Sequence, residues 1–283
     1  MISPFLKTIW LGFVVISILG GCGQKQEKDT VEILASGPDL EALGVVPDYV
    51  VRATEAAGGP DAWMRTKELQ LDCVVTFYRP DGSFYLTEQH YDVYPWSNSI
   101  RISGREPRGE FVWQFSRGQF SVLQGGDRIE ALPSAVESRC FAEVILNVIT
   151  IPARFLDDSV EFTRVPDPVK LQGQWHYPVN RRMKPRSLLD GQARMAEPTA
   201  LEAVPDLSEA VFYQNRDSSL VDMILFPRMS GGKSLTVHGY DYSEIEKGAV
   251  LVPTKIEIFR TEALFGSGGA ADSQKRLVKI DFY

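Results

Sequence analysis

Residues Leu69 to Phe77 alternate. Leu69, Leu71, Cys73, Val75 and Phe77 share one face, with more polar residues between them. A period of two is that of a half-buried β-strand. It constrains the fold most because it returns again and again. Arg79-Pro80-Asp81-Gly82-Ser83 is a turn, since proline presets φ and glycine permits positive φ. Phe84 to Tyr94 then reads as the hairpin partner, and Pro95-Trp96-Ser97-Asn98 turns again. Ser99 to Ser103, Glu110 to Ser116 and Gln119 to Gln124 continue the series, with Phe111, Trp113 and Phe115 on one face. Adjacent strands joined by short turns form an antiparallel meander.

The period changes once over a long stretch. Between Pro133 and Ile149, Val136, Cys140, Val144 and Val148 fall on one face, with Phe141 and Ile145 beside them. This predicts an apolar helix, ended by Pro152. Such a helix between two strand groups requires a concave sheet to bury it. The second group is Val160–Val165, Val169–Tyr177, Ala210–Gln214, Leu220–Phe226, Ser234–Tyr242, Leu251–Thr261 and Arg276–Phe282. Residues 181–206 hold three prolines and read as a long loop. Ahead of the strands, Pro47 to Ala57 predicts a helix closed by Gly58-Gly59, with Trp63 as a core plug.

The first residues belong to a different regime. Lys7 precedes the apolar run Ile9–Leu19, which is too short to cross ~30 Å of hydrocarbon, a span of about 20 helical residues. Leu19-Gly20-Gly21-Cys22 follows. These residues resemble the lipobox of bacterial lipoproteins. The resemblance implies cleavage after residue 21, a diacylglyceryl thioether on Cys22 and acylation of its amine. Gly23 stands where an aspartate often retains such proteins in the inner membrane, so the outer membrane, facing the periplasm, is expected. The reading is a signal peptide over 1–21, a lipidated flexible tether over 22–46 and one β-rich domain over 47–283.

Composition narrows the function classes. The formal charge is −7, with no basic stripe, which argues against nucleic acid as a partner. Arg181-Arg182, Lys184 and Arg186 form the one basic cluster, open to anionic head groups or to plain solvation. Cys73 and Cys140 could pair in an oxidising compartment or remain buried thiols. His90, His176 and His238 form no short-range pair and read as structural or surface residues. Gly231-Gly232-Lys233-Ser234 ends like a phosphate loop, but Pro227 stands where the first glycine is needed. Gly266-Ser267-Gly268 lacks the spacing of a nucleophile elbow. No enzyme, cofactor or metal site is expected.

The order of features is a lipobox, a helix ending Ala56-Ala57-Gly58-Gly59 with Trp63 after it, a meander, a central apolar helix and further strands including Gly248 to Ile258. It resembles the LolA/LolB-like superfamily of outer-membrane lipoprotein carriers and receptors. The resemblance implies an α+β fold: a strongly curved antiparallel sheet, an unclosed half-barrel, wrapping a central helix. It also implies a lipid or other apolar ligand held between sheet and helix, here by Phe77, Phe111, Trp113, Phe115 and Ile145. The alternatives are an envelope lipoprotein with a filled core and no ligand, and a hydrolase built on one histidine.

The anchor is directly testable. When cells are fed an alkyne-bearing fatty acid, the natural chain should be labelled. A Cys22→Ser chain should not be.

Overall fold

A computed structural model describes residues 46–106, 109–116, 119–124, 127–128, 133–157, 160–183, 207, 209–229, 233–245, 250–262 and 275–283. Residues 1–45 lie outside them, and with them the expected signal segment, Cys22 and all but the end of the tether. So do residues 184–206, 231–232 and 266–269. The described residues belong to one compact unit, Val31–Tyr283.

Strands β1 (Leu69–Tyr78) and β2 (Phe84–Tyr94) form the first hairpin, in register from Leu69 opposite Val93 to Tyr78 opposite Phe84. Its turn closes as its sequence requires. Asp81 Oδ1 accepts from the Ser83 amide at 2.9 Å and its hydroxyl at 2.7 Å, and Gly82 takes φ 85°. Strands β3 (Ser99–Glu106), β4 (Gly109–Ser116), β5 (Gln119–Gln124) and β6 (Asp127–Arg128) extend the meander. After the helices come β7 (Val160–Arg164), β8 (Val169–Leu171), β9 (Gln174–Met183), β10 (Glu209–Asn215), β11 (Val221–Met229), β12 (Lys233–Glu244), β13 (Leu251–Glu262) and β14 (Lys275–Phe282).

These strands make one large antiparallel sheet with two free edges. Its order is β6-β5-β4-β3-β2-β1-β14-β13-β12-β11-β10-β9-β7, with β8 paired to β9 alone. The first and last strands meet in the middle, Cys73 opposite Phe282 through Phe77 opposite Val278. Each half runs outward from that seam. The segment joining β6 to β7 therefore links the two edges.

That segment carries α3 (Pro133–Ile149) and α4 (Ile151–Phe155). α3 packs on β3, β4 and β5; α4 packs on β7, α1 (Asp48–Ala56) and α2 (Pro60–Arg65). All four helices thus lie on one face. Beneath them run the buried residues of alternate strand positions, among them Val75, Ile102, Phe212, Ile224, Val237, Ile256 and Ile280. Trp63 is fully buried and donates from Nε1 to the Ala57 carbonyl at 2.9 Å. Gly58 and Gly59, at φ 110° and 92°, end α1.

Several expectations are corrected. Pro152 does not stop the helical run but opens α4, where a first-turn proline loses no hydrogen bond. The break is at Thr150. Val169–Tyr177 is not one strand: Gln172 and Gly173 at φ 49° and 86° turn β8 back on β9. Glutamine is not the usual first residue of such a turn, so the hairpin left little signal. The strand β9 also runs on to Met183, into the expected loop. Arg181 is no surface cation. Alternation in β9 sends it under the helices, where its guanidinium meets Asn147 Oδ1 and the Leu207 carbonyl and lies 5.5 Å from the Phe212 ring. Arg182 is exposed beside Glu209; Lys184 and Arg186 lie outside the described residues. Neither Cys73 nor Cys140 is in a disulfide, and burial pushes the Cys73 thiol up to about 12.

Arg154 clamps the helices to the sheet. It is 6% exposed and donates to the Pro95 carbonyl at 2.6 Å, to Thr150 Oγ1 at 3.2 Å and to Asp157 at 3.1 Å. The Arg154→Leu chain leaves those acceptors short of a donor. It should lose about 2–4 kcal/mol in urea unfolding, with an unchanged denaturant slope.

Candidate functional site

The helix-covered face gathers the expected aromatic residues. β4 points Phe111, Trp113 and Phe115 inward, because odd positions on that strand face the helices. Trp113 meets Phe141 of α3 edge-on at 5.9 Å, and Phe111 lies 4.5 Å from Trp113. Phe77 joins from β1, 5.7 Å from Phe141 and stacked 5.0 Å from Tyr85. Phe115 and Ile145 belong to the same buried cluster. Four of the five expected residues are buried, and Phe77 is half-buried. The guanidinium of Arg139 lies 6.0 Å from the Phe115 ring, and its buried Nε has no hydrogen-bond partner among the described residues. An aromatic interior with the half-buried Phe77 and the Arg139 guanidinium suits an apolar chain that ends in a polar or anionic group.

The opposite face carries a second site that sequence reading did not assemble. A cleft of about 340 Å³ is lined by Leu171, Gln172, Gln174, His176, Asp222, Met223, His238, Tyr240, Glu257 and Phe259. A β-bulge builds it. Gln214 pairs with Val221 and Tyr213 with Met223, so Asp222 is the extra residue on β11. Without the bulge, Asp222 would share the buried face with Ile224 and Phe226. With it, the carboxylate reaches the other face. Asp222 Oδ2 accepts from Asn215 at 3.0 Å. Oδ1 lies 2.8 Å from His176 Nε2, an ion-pair distance without hydrogen-bond alignment. His176 is 4% exposed.

His238 sits across from both Met223 and Glu257 in the ladder. It is 9% exposed, edge-on to Phe259 at 5.4 Å, and its Nε2 has no hydrogen-bond partner among the described residues. Burial pushes the imidazole below the ordinary histidine value, partly offset by Glu257 and Asp222, so it is neutral at pH 7. Arg276 holds Glu257 at 2.9 Å. The two histidines lie on strands three places apart in the sheet, so no short spacing links them. The available signal was Asp222 itself, an acid at a position the alternation assigned to the core.

The third histidine belongs to neither site. His90 Nδ1 lies 2.7 Å from Asp72, and Nε2 lies 3.1 Å from Asp92, which also binds Arg101. The contact with Asp72 raises its pKa, against some desolvation and with help from Asp92.

A large open antiparallel sheet with its helices on one face is the class this architecture defines. Among solved structures, the chain is similar to a LolA superfamily protein from Nitrosomonas europaea, at 12% identity and TM-score 0.48, over 84% of this chain and 92% of that one. It is similar to a DUF1329 family protein from Desulfovibrio piger, at 11% and 0.40, over 84% and 91%. It is also similar to a putative outer membrane lipoprotein-sorting protein domain from Vibrio parahaemolyticus, at 9% and 0.40, over 82% and 89%. No family model and no curated protein matches the chain.

The histidines give opposite pH signatures. A raised pKa means that the stabilisation from protonated His90 is fully present below 6.5 and fades as pH rises through the folded value. His90→Asn should therefore destabilise the protein more near about pH 5 than near about pH 8. The lowered pKa of His238 acts the other way: stability falls as pH drops below the unfolded value of 6.5. Urea unfolding at the two pH values checks both signs.

Proposed function

We propose that this protein is a lipid-anchored lipoprotein of the cell envelope that binds a lipid or other apolar ligand between α3 and the sheet. In this reading the sheet curves around α3. Cys22 carries the anchor and the domain faces the periplasm. The role is binding, not catalysis.

One observation carries the reading. Phe77, Phe111, Trp113 and Phe141 form a continuous aromatic surface whose outermost ring, Phe77, is half-buried. A ligand chain lying against it gains about 25 cal/mol per Å² of apolar surface removed from water. Arg139, beside Phe115, supplies a charge partner for a polar end. Entry and exit then require only that α3 shift relative to β4 and β5.

Native mass spectrometry of the full chain in mild detergent tests this. The expected spectrum holds non-covalent lipid adducts of defined mass beyond the covalent anchor. Phe77→Asp, at the half-buried ring, should reduce their occupancy roughly tenfold while shifting Tm by only a few degrees. A clean mass after incubation with phospholipid and fatty acid would sink the reading, and an envelope protein with a filled core would take its place.

A further inference from the structure

We propose that the sheet face opposite the helices carries a separate binding site for a small organic cation bearing amine or guanidine groups. The site is the cleft lined by His176, Asp222, His238, Tyr240, Glu257 and Phe259.

Its volume, about 340 Å³, is at the lower end for small-molecule pockets. Its polar atoms are incompletely used. His238 Nε2 is buried and has no hydrogen-bond partner among the described residues, a state that buried polar groups seldom keep without a reason. As the Nδ1–H tautomer, it offers a lone pair to an N–H donor. Asp222 Oδ1 is aligned with no donor among the described residues, and its near neighbour is His176 Nε2 at 2.8 Å. A ligand rich in N–H groups satisfies both atoms at once.

Charge selects the sign of that ligand. Among the described carboxylates and arginines of the cleft, Asp222 and Glu257 outnumber Arg276, which Glu257 already holds at 2.9 Å. Lys255 lies 5.9 Å from the Tyr240 ring centroid, but Asp241 pairs it at 2.5 Å. Lys279 is likewise held by Asp281 at 2.7 Å. Phosphate and carboxylate ligands would meet two carboxylates and are disfavoured. Tyr240 and Phe259 add ring faces, which attract cations. Arg276 already lies 5.6 Å from the Phe259 ring centroid. A metal ion fits less well, because no three ligating side chains among the described residues converge tightly enough to hold one.

The bulge strengthens the inference. It places an acid on this face at the cost of a regular ladder, and bulges are concentrated beside functional sites. The β8–β9 turn, with Gln172 and Gly173 at positive φ, supplies one wall of the cleft through Leu171 and Gln172.

The test uses the full chain in mild detergent, labelled at methionine methyl groups and histidine. It is titrated by NMR with 1,4-diaminobutane and with agmatine. The expected result is a saturable shift of the Met223 methyl and His238 signals. Asp222→Asn and Glu257→Gln should each weaken binding at least roughly tenfold, the scale of a lost charge-assisted hydrogen bond. Glu110→Gln, on β4, should leave it unchanged. Glu257 lies in a regular ladder, so its variant tests the site even if Asp222→Asn disturbs the bulge. Four outcomes overturn the proposal. One is no saturable shift up to roughly 10 mM amine. The second is amine binding that neither variant weakens. The third is inorganic phosphate moving the same signals. The last is Zn²⁺ moving both cleft histidines while the amines do not.

Discussion

Everything in this fold depends on the pairing of β1 with β14. Each half of the sheet is a local product, assembled from hairpins whose partners are close in sequence. The two halves become one sheet only where Cys73 to Phe77 pair with Val278 to Phe282. That contact closes nearly the whole domain as a loop. Loop closure of this length is entropically costly, and the pairing must be made before the core it shelters is complete. The side chains at the seam reflect this demand. Cys73, Val75, Val278 and Ile280 are all buried, so strand pairing and core burial are gained together.

The edge-to-edge link follows from that topology. Because the chain returns to the centre at its end, its middle must travel from β6 at one edge to β7 at the other. The helices α3 and α4 make that journey over one face and bury their apolar sides on the way. Arg154 then fixes the path to the β2–β3 turn, while Arg181 and Asn147 fix α3 to β9. Both arginines are buried, and each directs its guanidinium at a backbone carbonyl as well as at side chains. The edges themselves are short. β6 has two residues and β7 five, which offers little template to another chain.

The two faces of the sheet have different chemistry. The covered face is aromatic and aliphatic, and at the β4 end it meets the guanidinium of Arg139. The other face is a mosaic of charged ladders, with Asp72, His90 and Asp92 on one half and the His176–His238 cleft on the other. Strand alternation enforces that separation. It also explains why one irregularity has so large an effect. A single extra residue at Asp222 exchanges a core position for a position in the cleft.

The sequence by itself determined the elements. Alternation at Leu69–Phe77 and Phe111–Phe115, the turn at Pro80-Asp81-Gly82, the helix over Pro133–Ile149 and the plug at Trp63 were all legible, because each depends on neighbours a few residues away. It also carried the aromatic set of the covered face, since a strand's inward positions can be counted. What only the tertiary structure decided is where remote positions meet. The β1–β14 seam, the fate of Arg181 beneath the helices and the meeting of His176, Asp222 and His238 are contacts between distant segments. Local propensity has no term for them. A bulge in β11 and a tight turn at Gln172-Gly173 shift the alternation by one residue. A shift of one residue exchanges inside for outside.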